Sequence, residues 1–213
     1  MIKIQGKIPR KVMIAVSGGV DSMAALDFLR RNHEVEVFHF NHNTEGSDVA
    51  EYVVRKYVSD HDIPFQIRGL SSIDTGGKPK GRSWEDWWRE QRYLWMDTLA
   101  DRHIPIITCH HLDDCVETWV WSSLHGTGKI IPYQRKNIFR PFRLTRKRDF
   151  ELWADLNNVP YTNDKSNKDT RFVRNHIRHD MMPHILKVNP GIHKTISKKV
   201  KVDDWDKLDF TDF

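Results

Sequence analysis

The 213-residue sequence has only two cysteines, Cys109 and Cys115. Two thiols cannot build a disulfide framework, and such sparse use points to a reducing compartment, the cytoplasm by default. No apolar run approaches the roughly 18 residues that would suggest a membrane span, so no membrane partner is expected. Residues Met1–Arg10 have no apolar core of the kind a signal peptide needs. The familiar phosphate motifs are missing as well. No Gly-x-Gly-x-x-Gly follows the first apolar strand, which leaves a dinucleotide fold unsupported. Gly126-Thr127-Gly128-Lys129 looks like the end of a Walker loop, but Ile130 replaces the required Ser or Thr, and Ser123 stands where the first glycine belongs. Cys109, His110, His111 and Cys115 lack the spacing of a standard zinc site, and their thiols bracket a strand–helix junction.

With 38% hydrophobic and 30% charged residues, the chain can bury a core beneath a well-solvated surface. Its net charge of +5 is unevenly placed. Arg135 to Lys201 holds 17 Lys and Arg against 6 Asp and Glu, whereas Val202 to Phe213 holds five Asp and one Lys. A basic C-terminal third suits a polyanion, RNA or DNA first. A solvated helical surface accounts for the same charge.

Apolar patterning predicts a strand over Lys11–Val16, then a Gly-rich turn and a helix carrying Met23, Ala24, Leu26, Phe28 and Leu29. A second strand is expected over Glu34–Phe40, a helix over Ser47–His61 with Ser47 as cap, and a third strand over Ile63–Ile67. A loop over Gly69–Arg82 precedes a long helix from Ser83 to about Arg102. Ile104–Cys109 is the fourth strand and His111–Leu124 the fourth helix. This alternation indicates an α/β fold, a parallel twisted sheet of about five strands with helices on both faces. From about Thr145 the pattern turns helical. Thr145 is a candidate cap for a helix through Asn157, Thr170–Met182 looks helical, and Asn189-Pro190 is placed to start a helix through about Val200. The expected organisation is an α/β domain over 1–143, a small basic helical subdomain over 144–201 and an acidic tail over 202–213.

Ligands of such sheets bind at the carboxyl ends of the strands. Ser17–Ser22, Asn41–Asn43 and His110–Asp114 should therefore converge. Ser17-Gly18-Gly19-Val20-Asp21-Ser22 carries the strongest signal. Its glycines let backbone approach a phosphate, and the helix that follows offers free N–H groups and a positive dipole end. Asp21 would repel phosphate unless Mg²⁺ lay between them, so it implies that metal. Ala15, Ser17, Gly18, Gly19, Val20, Asp21, Ser22, His39 and Asn41 are the nucleotide-binding candidates. Asp113 or Asp114 could bind Mg²⁺ or a substrate ammonium, with Glu117 one turn on, yet acidic residues also simply complement a helix N-terminus. Glu85, Arg89 and Arg92 share one helix face, for which an i,i+4 ion pair is the plain account. Trp84, Trp87, Trp88 and Trp95 read as packing rather than as base-stacking surfaces.

Ser-Gly-Gly-x-Asp-Ser after a first strand resembles the PP-loop signature of the N-type ATP pyrophosphatases. Within that superfamily the chain resembles the tRNA(Ile)-lysidine synthetases. Further segments carry the likeness: Trp84-Glu85 with Arg89, Arg92 and Tyr93; His110-His111-Leu112-Asp113-Asp114 with Glu117-Thr118; Arg140-Pro141-Phe142 with Thr145-Arg146; and Asp164-Lys165-Ser166-Asn167 with Arg174-Asn175 and Arg178. The resemblance implies ATP and Mg²⁺ as cofactors, and L-lysine and tRNA(Ile) with a CAU anticodon as partners. The wobble cytidine oxygen would attack the α-phosphate, pyrophosphate would leave, and the lysine ε-amine would displace AMP. It also implies catalytic roles for Asp21, Asp113, Asp114 and Arg174, metal binding by Asp21, and substrate contacts from Glu85, Arg89, Arg92, His111, Glu117, Arg140, Asn167 and Arg178. Arg146 and Arg171 join Arg140, Arg174 and Arg178 as candidates for phosphate contact.

Two departures stand out. His125-Gly126 occupies the place of the family's Arg-Gly, and the sequence stops soon after the helical region, so a short form without the usual tRNA-selecting C-terminal domains is expected. PP-loop thiolation enzymes usually carry Cys-x-x-Cys or a paired catalytic cysteine; Cys-x-x-Cys is absent here. The alternatives are a PP-loop enzyme that amidates or thiolates another nucleobase or small molecule, and a non-catalytic RNA-binding descendant.

Overall fold

The computed structural model describes residues 1–44, 46–69, 78–99, 104–163 and 169–202, and all but the Glu85 side chain within them. Six strands form one sheet in the order β3-β2-β1-β4-β6-β5. They are β1 (Lys11–Ala15), β2 (Glu34–Asn41), β3 (Phe65–Gly69), β4 (Ile106–Ile107), β5 (Gln134–Arg135) and β6 (Ile138–Phe139). All pairings are parallel except β5 with β6. The helices are α1 (Val20–Arg30), α2 (Ser47–Asp60), α3 (Trp84–Leu99), α4 (Leu112–Leu124), α5 (Lys147–Leu156), α6 (Val173–His176), α7 (Met182–Val188) and α8 (Ile192–Val202). A π-helical turn, Ile177–Met181, joins α6 to α7.

The side-chain period of two sorts the strands onto two faces. Val12, Ile14, Val35, Val37 and Ile107 pack with α1, α2 and α5. Met13, Phe38, Phe40 and Ile106 point the other way, against Trp87, Trp95, Met96 and Leu99 of α3. Helices thus cover both faces. A third cluster joins Leu112, Cys115, Val116 and Val120 of α4 to Ile177, Met182, Ile192, Ile196 and Val200. The chain leaves β1 towards β2 and β3, then returns to place β4 on the other side of β1. That reversal makes the carboxyl ends of β1 and β4 the switch point of the sheet, where open α/β sheets take their ligands.

Asp27 of α1 ties three helices together. Its carboxylate is 2% exposed and accepts bonds from Tyr57 (2.6 Å), Trp153 (2.9 Å), Arg30 (2.7 and 3.0 Å) and Arg31 (2.8 and 3.1 Å). Those donors outweigh burial and hold the carboxyl below its usual range.

The architecture corrects the sequence reading in several places. The sheet has six strands rather than about five, because a two-residue hairpin, β5–β6, extends its edge. Gly46, with φ +88°, caps α2 in place of Ser47, whose hydroxyl bonds Thr44 instead. Thr145 does not cap α5. It is fully buried and exchanges bonds with the Lys3 backbone, accepting at 2.9 Å and donating at 2.7 Å, and Arg146 takes the cap position. Within Thr170–Met182 only Val173–His176 is α-helical before the π turn. The last helix starts at Ile192, since the Asn189 side chain accepts the Gly191 N–H and holds a turn ahead of it. Residues 203–213 of the acidic tail, and the segment 164–168 with Asn167, lie outside the described residues.

Candidate active site

The loop between β1 and α1 is held from three directions. Within it, the Ser17 N–H donates to Ser22 Oγ (3.1 Å), the two hydroxyls are 3.1 Å apart, and Ser22 donates to the Gly19 carbonyl (3.0 Å). From behind, α2 presses on Gly18. Gly18 has φ +86°, and a Cβ there would sit 3.0 Å from Ala50 Cβ and 3.1 Å from Ala50 backbone atoms. Only glycine combines that dihedral with that contact. From a segment distant in sequence, Thr162 donates its N–H to the Gly18 carbonyl at 2.8 Å. Gly19 is the extended residue that opens α1, and no side chain caps the helix. The first N–H groups of α1 are therefore presented to an anion.

Asp21 lies in the first turn of α1. His111 Nε2 is 3.7 Å and Lys147 Nζ 3.6 Å from its Oδ2, so residues from the β1 and β4 loops do meet. His111 is 2% exposed and caps α4, its Nδ1 accepting the Asp114 N–H at 3.2 Å. That bond leaves Nε2 as the protonated nitrogen facing Asp21. Burial disfavours the imidazolium, but Asp114, Asp21 and Asp113 together raise its pKa. Asp113 accepts from the Lys147 N–H (2.8 Å) and His193 Nε2 (3.0 Å), with Arg146 at 3.3 Å. Asp114 and Glu117 face the next layer. Arg174 reaches Asp114 at 2.6 Å and Glu117 at 3.3 Å, while Arg178 reaches Glu117 at 2.7 Å and Asp114 at 3.3 Å. Burial would raise the pKa of Asp113 and Asp114, yet their cationic and N–H partners hold both far below the usual carboxylate range.

The remaining candidates are placed as follows. His39 is 2% exposed, and its Nδ1 donates to the Val16 carbonyl at 2.8 Å. Its Nε2 is a buried acceptor with no hydrogen-bond partner among the described residues. Burial lowers its pKa and keeps the ring neutral. Asn41 is occupied, donating to Glu51 (2.8 Å) and accepting from the Asn43 N–H (2.8 Å). Arg140 is 2% exposed and donates to the Pro132 carbonyl and to the Tyr93 hydroxyl (3.1 Å). It therefore ties Tyr93 of α3 to the segment before β5 rather than presenting a surface guanidinium. Arg89 is exposed on α3, its guanidinium 5.2 Å from the Tyr93 ring, and Arg92 is partly buried on the same helix. Arg171 is paired with Asp169 at 2.7 Å. Lys147 and His193, which motif reading did not single out, join the cluster. Lys147 sits one residue past the Thr145-Arg146 match, and His193 reaches Asp113 only because α8 packs on α4.

The donor set was tested for Mg²⁺. Asp21 Oδ1 is buried with no hydrogen-bond partner, the sole carboxylate oxygen of that kind among the described residues. Mg²⁺ is usually held by one or two carboxylates and by substrate phosphates, keeping several waters. One unspent carboxylate oxygen at an anion-binding helix end fits that habit. The oxygens of Asp113 and Asp114 are already engaged by protein donors.

A family model described as the PP-loop domain matches residues 2–185. Among curated proteins, the chain is 31% identical over 205 residues to a tRNA(Ile)-lysidine synthase of Thermotoga maritima, covering 90% of this chain and 49% of that protein. It is 29% identical to the tRNA(Ile)-lysidine synthase of Geobacter sulfurreducens, covering 90% and 44%. The chain thus spans about half the length of the curated relatives it matches. Among solved structures it resembles a U34-tRNA thiolase from Methanococcus maripaludis with its 4Fe-4S cluster, with TM-score 0.71, 16% identity and coverage of 92% and 72%. It also resembles an NH3-dependent NAD synthetase from Campylobacter jejuni, with TM-score 0.51, 15% identity and coverage of 91% and 85%. At such identities the two structures share the fold alone.

Proposed function

We propose that this chain, which belongs to the PP-loop family, is an ATP-dependent tRNA-modifying ligase that attaches lysine to the wobble cytidine of tRNA(Ile) with a CAU anticodon. The observation that carries the ATP chemistry is Asp21. Its unpartnered, buried oxygen stands in the first turn of α1, beside the Ser17–Ser22 loop. Asp21 would hold Mg²⁺ there. The bound metal would offset the negative charge that grows on departing pyrophosphate. The rest is the work of the chain's own groups. The N–H groups of the loop and of α1 bind the phosphates. Lys147 aims positive charge and His111 its Nε2–H at the same place, which favours cleavage at the α-phosphate by lowering the energy of the charged transition state. The free acceptor nitrogen of His39 suits a ribose hydroxyl or adenine amino group.

Lysine as the incoming amine is supported by Asp113, Asp114 and Glu117, carboxylates held ionised or buried among cations beside the loop. Asp114 or Glu117 would exchange an arginine for the substrate ammonium, and the released Arg174 or Arg178 would meet the substrate carboxylate. A nucleic-acid acceptor is supported by the basic span from Arg135 to Lys201 and by relatives named as tRNA enzymes. Thiolation is the weaker reading. Burial pushes both thiols up, Cys115 to about 12, which suppresses the thiolate such chemistry requires.

The test is incubation with ATP, Mg²⁺, radiolabelled lysine and tRNA(Ile) bearing the CAU anticodon. Lysine incorporation with pyrophosphate release is the expected result. Pyrophosphate release only with another acceptor would sink the lysidine reading while keeping the ATP chemistry. An Asp21→Ala variant with full activity would refute the metal role.

A further inference from the structure

The tryptophans of α3 divide sharply by exposure. Trp87 and Trp95 are 6% and 8% exposed and pack under the sheet with Phe38, Phe40 and Met96. Trp84 keeps 50% of its surface in water, and Trp88 is only partly buried. These two rings form a row with a third. Trp84 and Trp88 are 5.5 Å apart at 32°, and Trp88 and His42 are 5.4 Å apart at 48°. His42 follows the last residue of β2, so the row ends at the carboxyl edge of the sheet, the edge that carries the phosphate loop.

Packing does not require this arrangement. Burial is what rewards an indole in a fold, and Trp84 forgoes half of it. Helix propensity offers little either, since Trp is a middling helix former. The setting is cationic. Lys78 Nζ lies 5.4 Å over the Trp84 ring, and Lys80, Arg82 and Arg89 are exposed nearby in sequence. Between 78 and 92 there are five Lys and Arg against three Asp and Glu. Two of those acids are occupied locally, Asp86 by Ser83 at 2.7 Å and Glu90 by Arg82. Leu94, the other exposed large apolar residue of α3, is ten positions along, or roughly 15 Å at 1.5 Å per residue. The patch is therefore narrow, aromatic and positive, unlike the broad apolar surface a protein partner favours.

We infer that Trp84, Trp88 and His42 form a stacking platform for unpaired bases of an RNA acceptor, with Lys78 and Arg89 on the flanking phosphates. The inference rests on the reading of the acceptor as RNA, and it specifies which part of that RNA is held. Bases inside a duplex have both faces covered, so a platform of this kind selects single-stranded loops. Lys78 occupies the outer face of Trp84. An arriving base would displace it towards the phosphate that accompanies the base.

Fluorescence anisotropy of the full chain with a labelled RNA hairpin carrying an unpaired loop, and with a blunt duplex of equal length, tests this. Trp84→Ala should weaken hairpin binding by about 5- to 150-fold, the range that loss of one base–aromatic stack produces. Trp84→Phe should recover most of the affinity. Duplex binding and ATP affinity should match the unsubstituted chain in both variants. Hairpin affinity unchanged in Trp84→Ala would overturn the platform, leave the RNA-acceptor reading standing and turn attention to a protein ligand. Equal losses for hairpin and duplex would also overturn the platform, because bases inside a duplex offer Trp84 no free face. If the unsubstituted chain binds neither RNA, the acceptor reading falls and takes the platform with it.

Discussion

Replacing Gly18 by alanine is the most informative single change, because two independent structural quantities bear on it. The residue has φ +86°, a conformation that costs an L-residue about 1–2 kcal/mol. The added Cβ would also stand 3.0 Å from Ala50 Cβ and 3.1 Å from Ala50 Cα and carbonyl oxygen. Two of these atoms are backbone of α2 and cannot rotate away, so the helix must shift, and overpacking of this kind costs about 1–3 kcal/mol. The sum, about 2–5 kcal/mol, is a large share of the roughly 5–15 kcal/mol that holds a domain folded. For a chain of this size it lowers the thermal midpoint by roughly 4–20 °C. Gly19→Ala is the control. Gly19 has φ −77°, and a Cβ there meets only Ser17 Oγ at 3.5 Å. Its stability loss should stay below about 1 kcal/mol, the difference between Gly and Ala at a helix cap. Its nucleotide affinity should fall nonetheless, since the methyl group stands where phosphate approaches. Urea unfolding of both variants, with ATP titration by calorimetry, separates the two effects. Equal stability losses in the two variants, or none for Gly18→Ala, would refute the claim that α2 presses on the loop.

Other expectations follow from the same contacts. Asp27→Asn should destabilise the chain by about 2–4 kcal/mol, less than a fully buried ion pair would lose because Arg30 and Arg31 are 28% and 42% exposed and retain water; urea unfolding at neutral pH measures it. Because the Asp27 pKa is lowered in the folded state, its contribution is present above the unfolded carboxyl value of about 3.9 and fades as pH falls through the folded value. Unfolding midpoints measured between neutral and acid pH should therefore drop more steeply in the native chain than in Asp27→Asn. Arg174→Ala leaves Asp114 with Arg178 at 3.3 Å as its remaining guanidinium, so lysine-dependent turnover should fall by tenfold or more, about 1.4 kcal/mol, with ATP affinity little changed. An unaltered turnover would remove Arg174 from the substrate site. Thr145→Val should loosen the amino-terminal segment, read as faster amide exchange around Lys3, where two bonds are lost.

The legible parts of the molecule were those where local pattern and tertiary role agree. A five-residue apolar strand, two glycines and an acidic first turn specify β1, the loop and α1 whatever surrounds them, and the convergence of the β1 and β4 loops follows from sheet chemistry. What stayed hidden depends on distant partners. Thr145 has the sequence of a cap, but Lys3, far away in the chain, claims its hydroxyl. The β5–β6 hairpin has two residues per strand and no alternation to detect. Trp84, Trp87, Trp88 and Trp95 read alike as packing residues, yet only Trp87 and Trp95 are buried under the sheet while Trp84 keeps half its surface in water. His193 enters the acidic cluster only through the packing of α8 on α4, which no periodicity announces.

The bond from Thr162 to the Gly18 carbonyl spans 144 positions. The Ser17–Ser22 loop and this brace are therefore contributed by segments far apart in sequence. A growing polypeptide would carry the Ser-Gly-Gly motif for 144 positions before that brace was made, and contacts so distant in sequence form late and slowly. Nucleotide affinity should therefore report on whether the segment around Thr162 has folded onto the loop. ATP protection against proteolysis would rise only once the region around Thr162 is in place, making the ligand itself a checkpoint on the maturity of the fold.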